Sequence, residues 1–124
     1  MTVALRLDHG DPTPPYEQLR RQLATAIESG LLQPGTRLPT VRQLAADLGV
    51  AAGTVMRSYA ELEGEGLIVT RRGGGTTVGD SPRTLSETER RRRLAEITAT
   101  FVSQARLIVV GDDEIRRAVD GLLG

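Results

Sequence analysis

Cysteine is absent from the 124-residue chain, and histidine occurs once, at His9. Without thiols there is no disulfide framework, no thiolate metal site and no thiol nucleophile. A lone histidine in a proline-bounded N-terminal stretch has no second imidazole with which to share a metal, so neither a metal nor a cofactor is expected. Lysine is missing too, since all sixteen basic residues are arginine, and this removes the amine that Schiff-base chemistry needs. No general base with a partner emerges, and the paired acids Asp112 and Asp113 read as a helix start rather than a dyad, so no enzyme is expected. No apolar run approaches the roughly 20 residues that span a bilayer. Asp8 interrupts the place where a signal peptide would continue its apolar core, which makes the cytoplasm the expected compartment and excludes a membrane partner. Acids and bases balance at sixteen each, so the overall basicity typical of nucleic-acid binders is also lacking. Any affinity for DNA has to come from local placement.

What is present reads as a mainly α chain with one small β-hairpin. Val3, Leu5 and Leu7 alternate in one short extended segment before the prolines at 12, 14 and 15. Pro15 suits a first helical turn, and Tyr16, Leu19, Leu23, Ala26 and Ile27 recur at helical spacing until Gly30, giving a helix over 15–29. Residues 31–39 (LLQPGTRLP) form a loop with a brief strand at 36–38. Thr40 then caps a two-turn helix over 41–48, closed by Gly49. A third helix follows, with Val55, Tyr59 and Leu62 on its buried stripe and Thr54, Arg57, Ser58 and Glu61 opposite, and it ends near Gly64–Gly66. The runs 67–70 and 76–78 flank Arg-Arg-Gly-Gly-Gly, which predicts a hairpin with a flexible basic tip. A polar linker (Asp80, Ser81, Pro82, Arg83) leads to Ser86 and Glu89, a capping box opening a long helix. Its apolar residues Leu94, Ile97, Phe101, Val102, Ala105, Ile108 and Val109 fall on one broad face. Asp112 is the expected cap of a last helix carrying Ile115, Ala118, Val119 and Leu122. The Arg90–Arg93 run, with Glu87, Glu89 and Glu96 nearby, reads as a salt-bridged solvent face.

A short helix, a glycine-containing turn and a polar-faced helix over 41–63 are what a helix-turn-helix requires, since its second helix must lie in the major groove. Periodicity alone fits three packed helices of any small domain equally well. The ordered strings PPYEQL, GLLQPGTRLPTVRQLA and TVMRSYAELEGEGL, followed by a glycine-containing wing over residues 12–79, resemble the N-terminal domain of the GntR family of bacterial regulators. With two helices following, the chain is similar to the short YtrA-type branch of that family. The resemblance implies a winged helix-turn-helix DNA-binding domain over residues 1–80, and a linker with a C-terminal helical hairpin for dimerisation over 81–124.

By position, the resemblance assigns Arg42 to DNA contact at the start of the second helix. It places Thr54 and Arg57 in the major groove, and Arg72 and Gly73 at a minor-groove wing tip. Thr40, Gly53 and Ser58 complete the expected contact set. Many relatives carry arginine where this chain has Ala52, and some where it has Met56, so its operator should differ from theirs. A hairpin of about forty residues cannot bury so broad an apolar stripe alone. Leu94, Ile97, Phe101, Ala105, Ile108, Ile115, Val119 and Leu122 are therefore the expected dimerisation residues. The expected partners are a double-stranded palindromic operator, a second copy of the chain, and a small-molecule effector near the C-terminal helices. The alternative is a protein-interaction module that keeps the scaffold without binding an operator.

Overall fold

A computed structural model describes residues 3–80 and 84–124, which fall in two compact units, Met1–Leu85 and Ser86–Gly124. The linker positions Ser81, Pro82 and Arg83 lie outside the described residues.

In the first unit, α1 (Pro15–Glu28) begins on Pro15, whose missing N–H costs nothing in a first turn, and Gly30 follows its end at φ 83°. Helix α2 (Val41–Leu48) starts at a full capping box. The Gln43 N–H donates to the Thr40 hydroxyl at 3.1 Å, and the Thr40 N–H donates to the Gln43 amide oxygen at 3.1 Å. Gly49 ends it in the left-handed region at φ 68°, where a Cβ would be strained. Helix α3 (Ala52–Gly64) follows a three-residue turn. Strands β1 (Ile68–Arg71) and β2 (Gly75–Val78) pair antiparallel with Arg71 opposite Gly75. Each strand reaches one residue nearer the tip than the sequence predicts, leaving residues 72–74 as the loop. This is the winged helix-turn-helix expected from the sequence.

The core is a single cluster in which α1 supplies Leu19, Leu23 and Ile27, α3 supplies Val55, Tyr59 and Leu62, and the wing supplies Leu67, Ile68 and Val78. Helix α1 packs on α3, α2 packs on α3, and α3 packs on β1. The predicted strand at 36–38 appears as a short third edge on the wing. Leu38 N–H donates to Thr76 O at 2.8 Å, Val78 N–H donates to Thr36 O at 2.9 Å, and Arg37 bridges Thr77. Val3, Leu5 and Leu7 do pack on the core in an extended segment, but among the described residues no strand pairs with it. Two glutamines one helical turn apart take a strand's place. The Gln22 amide bonds both ways with the Arg6 backbone (2.8 and 2.6 Å), and the Gln18 amide does the same with Asp8 (2.7 and 2.9 Å). The match is geometric: two residues of extended chain and four of helix both advance about 6 to 7 Å.

The second unit is a helical hairpin of α4 (Glu87–Ala105) and α5 (Asp112–Leu123). Ser86 caps α4 by accepting from the Glu89 N–H at 3.1 Å, while the Glu89 carboxylate takes Arg92 and Arg93. Helix α4 stops earlier than the apolar pattern predicts, so Ile108 and Val109 lie in the turn beyond it. The β-branched run Ile108-Val109-Val110 and Gly111 disfavour further helix. Asp112 is not the cap of α5. Gly111 holds that position, and the Asp112 carboxylate instead takes the Arg106 guanidinium across the turn at 3.2 and 3.3 Å, which lowers its pKa.

Two stability tests follow. A Cβ on Gly79 would stand 2.9 Å from the Gly66 carbonyl oxygen. That neighbour is backbone and cannot swing aside, so Gly79→Ala should cost about 1–3 kcal/mol in chemical denaturation, as overpacking does. Unchanged unfolding would show that the wing shifts freely. Glu17 accepts from Arg20 at 2.6 and 2.9 Å and from Arg21 at 2.8 Å. The Arg20 hydrogen bonds chiefly, and those of Arg21 next, hold its carboxyl at about 2 against the ordinary 4.5. A depressed carboxyl contributes stability above its unfolded pKa and loses it as pH falls towards the folded one. Glu17→Gln should therefore cost no more than about 1 kcal/mol at neutral pH. Its gap from wild type should close as pH falls from 4.5 towards 2; a gap constant with pH would assign the loss to packing instead.

Candidate nucleic-acid interface

Tethers within the first unit connect the elements from which the candidate residues come. Tyr59 of α3 is buried, and its hydroxyl donates to the Pro39 carbonyl at 2.8 Å, which pins the loop immediately before the α2 cap. Burial pushes this phenol up to about 12, so it stays a neutral donor. The loop that Tyr59 holds is the same one whose residues 35–38 pair with β2. Helix α2, helix α3 and the wing are thus linked by hydrogen bonds through one loop.

Arg42 is exposed on the first turn of α2. Thr40 is exposed as well, although its hydroxyl is already engaged by the cap. On α3, Ala52, Gly53, Met56 and Arg57 are exposed and Thr54 is half-buried. Gly53 has open space where a Cβ would be, so nothing within the fold forces glycine there.

Ser58 is a correction. It is wholly buried, and its hydroxyl donates to the Tyr16 carbonyl oxygen of α1, so it is not on the open face. A small hydroxyl can sit inside a helix contact when a carbonyl is there to receive it.

At the wing tip Arg72, Gly73 and Gly74 are exposed, and Gly74 N–H donates to Arg71 O at 3.0 Å to close the turn. Gly73 adopts φ 76°, a region glycine enters without strain. Gly75 is constrained twice. Its φ is 73°, and a Cβ there would stand 2.9 Å from an Arg37 guanidinium nitrogen. Arg37 therefore lies against the wing, a placement the sequence reading missed. The Pro-Gly turn before Arg37 and the predicted strand at 36–38 carried the signal for it.

Charge is distributed unevenly despite the net balance. Arg20 is held by Glu17 and by Glu65 at 3.0 Å. Arg21 also pairs with Glu17, and Arg91, Arg92 and Arg93 pair with glutamates of their own helix, as the sequence predicts for that run. Glu61 and Glu65, acids at the end of α3, lie 3.8 and 3.0 Å from Arg20. Among the described residues Arg37, Arg42 and Arg72 have no carboxylate within ion-pairing distance. Arg57 lies 3.8 Å from Glu61 and stacks 3.7 Å above the Tyr16 ring.

The apolar face of the second unit is largely open. Leu94, Ile97, Phe101, Ile108 and Leu122 are exposed, and Ala105 and Val119 are half-buried. Ile115 is buried inside its own hairpin, so it fills the space between α4 and α5 rather than standing on the outer face.

Bacterial regulatory proteins of the gntR family match residues 15–78, from α1 through the wing. An HTH-type transcriptional regulator of Mycobacterium tuberculosis is 50% identical over 74 residues, covering 60% of this chain and 61% of that protein. The HTH-type transcriptional repressor YtrA of Bacillus subtilis is 39% identical over 80 residues, covering 64% and 62%. The chain thus spans about three fifths of the length of these two relatives. The AraR DBD, solved in complex with an operator, superposes with a TM-score of 0.52 at 27% identity, covering 63% of this chain and 95% of that one. With the helix-turn-helix, the wing and the matched span all in register, the chain belongs to the GntR family of bacterial regulatory proteins, in its short YtrA-type branch.

Proposed function

We propose that the protein is a cytoplasmic transcriptional repressor that binds a palindromic DNA operator as a homodimer. The observation that carries this reading is the separation of the arginines. Arg20 and Arg21 of α1 and Arg91, Arg92 and Arg93 of α4 are neutralised by neighbouring carboxylates, whereas Arg42 and Arg72 are exposed and unpaired among the described residues. An unpaired surface cation gains most from a phosphate, and each one neutralised releases condensed counterions. Arg42 contacts the DNA from the start of α2, Thr54 and Arg57 meet the major groove, with Thr40 and Gly53 lying close to the backbone, and Arg72 and Gly73 enter the minor groove. The AraR DBD, which this domain resembles and which was solved with an operator, supports DNA binding by this unit.

Pairing is supported by the open face of the second unit. Two-fold symmetry would set two recognition helices ~34 Å apart, or a multiple of that distance, as a palindrome requires. Ile97, Phe101, Val102, Ile115 and Val119 line a groove of about 420 Å³ between α4 and α5. A small apolar effector held there would shift the DNA-competent population if it favoured one dimer geometry.

A duplex enriched by the full chain from a random-sequence pool is the probe for both claims. Fluorescence anisotropy over a salt series should show Arg42→Ala and Arg72→Ala each binding about tenfold more weakly, with the salt slope reduced by about one per lost phosphate contact. Failure of any sequence to be enriched would overturn operator binding in favour of the interaction-module reading. Undiminished binding by both variants would overturn the site.

For pairing, light scattering should give twice the chain mass. Phe101→Glu should give the single mass, because a carboxylate on a covered apolar face is strongly disfavoured. It should also weaken operator binding while leaving the melting of the first unit unchanged. A monomeric wild type at tens of micromolar, on the order of a weak dimer's dissociation constant, would sink the pairing.

A further inference from the structure

Arg57 does not project into solvent unsupported. Its guanidinium carbon lies 3.7 Å above the centroid of the Tyr16 ring. Tyr16 is the second residue of α1, immediately after the Pro14-Pro15 pair that fixes the start of that helix. The position of the ring relative to α3 is set by the next residue along. Ser58 is wholly buried and donates its hydroxyl to the Tyr16 carbonyl oxygen. Successive helical residues diverge by about 100°, so Ser58 grips the α1 backbone while Arg57 reaches the ring attached to it.

We propose that Tyr16 is a positioning residue for operator recognition: its ring is a platform that holds the Arg57 guanidinium in place for phosphate or guanine contact. This rests on the reading of Arg57 as a DNA contact. The physical case is one of geometry and competition. A ring stacked on the face of a planar guanidinium leaves the in-plane N–H edges for hydrogen bonds, whereas a carboxylate would occupy them. Holding the side chain in place before DNA arrives reduces the rotamer freedom lost on binding. Glu61 is the competing acid, at 3.8 Å from the Arg57 Nε, yet it lies equally 3.8 Å from the Arg20 Nε. When a phosphate takes Arg57, Glu61 keeps a cationic neighbour, so releasing Arg57 strands no charge.

Affinity for the enriched duplex, measured with the full chain, separates positioning from plain structural support. Arg57→Ala should bind about tenfold more weakly, as loss of a good contact does. Tyr16→Leu should lose about threefold, the range of a modest cation–π contact, and Tyr16→Phe should bind like wild type because it keeps the ring. The decisive comparison is the double variant. Tyr16→Leu placed on Arg57→Ala should cause no further loss, whereas a full repeat of its single effect would make Tyr16 merely structural and overturn the proposal.

If Arg57→Ala binds like wild type, the positioning role falls, while operator binding itself still stands or falls on Arg42 and Arg72. A second measurement needs no substitution at Tyr16. The Arg57 side-chain protons should show an upfield ring-current shift by NMR in the free protein and keep it in the DNA complex; loss of that shift on binding would overturn the platform.

Discussion

The closure of α1 on α3 is the constraint on which the reading head depends. Leu19, Leu23 and Ile27 meet a core that includes Val55 and Leu62, and all five are essentially inaccessible to solvent. Each such side chain contributes about 1.5–3 kcal/mol on burial. That contact fixes α3 within the unit, and the polar bonds then add direction to it. Ser58 bonds the Tyr16 carbonyl, and Arg20 reaches Glu65 at the far end of the same helix. From α3 the order propagates outward: Tyr59 holds Pro39, Pro39 precedes the cap of α2, and residues 35–38 of the same loop pair with β2. A change at the α1–α3 contact would therefore be felt at the wing through the Tyr59 side chain that holds Pro39 and then through the backbone hydrogen bonds between the loop and β2.

The proposed DNA binding is compatible with zero net charge because of which arginines are already satisfied. A bidentate pair such as Arg20 with Glu17 offers little to an incoming phosphate, because its donors are in use and its field is cancelled nearby. The acids at the end of α3 work the same way in reverse. Glu61 and Glu65 face Arg20, so their field is partly cancelled by Arg20 as well. Counting charges over the whole chain averages these local cancellations away.

Helices and their ends were legible in the sequence because they depend on local chemistry: the Thr40 cap, the left-handed Gly49 and the proline start of α1 all occur where short-range rules place them. Misplaced features involve partners distant in the chain. Ser58 lies about 60° from Val55 and about 40° from Leu62 around the helix, well inside the buried stripe. Its polarity suggested exposure, and only the Tyr16 carbonyl, 42 residues away, makes burial affordable. Nor could the alternation of Val3, Leu5 and Leu7 reveal that glutamine side chains would replace a neighbouring strand. The early end of α4 is different. The β-branched run Ile108-Val109-Val110 carried that signal locally, but the apolar periodicity running through it masked the weaker helical preference. Within the candidate site, Arg42 and Arg72 stand exposed at the positions the resemblance gave them, whereas the neighbours of Arg57 needed the fold.

The proposed grip, built from so few free cations, would gain disproportionately from being used twice. A head with a handful of phosphate and base contacts has an affinity that falls steeply with salt, and at physiological ionic strength most of its electrostatic gain is lost. Joining two heads makes the second engagement intramolecular, at an effective concentration set by the connection rather than by the protein in solution. In the proposed dimer the same joining would cover Leu94, Ile97 and Phe101, which stand 63%, 67% and 42% exposed, an arrangement a monomeric protein rarely keeps as one contiguous patch. If the chain pairs as proposed, the sparse charge of the first unit and the uncovered apolar face of the second are two sides of one requirement, since each deficiency would be made good by the same act of pairing.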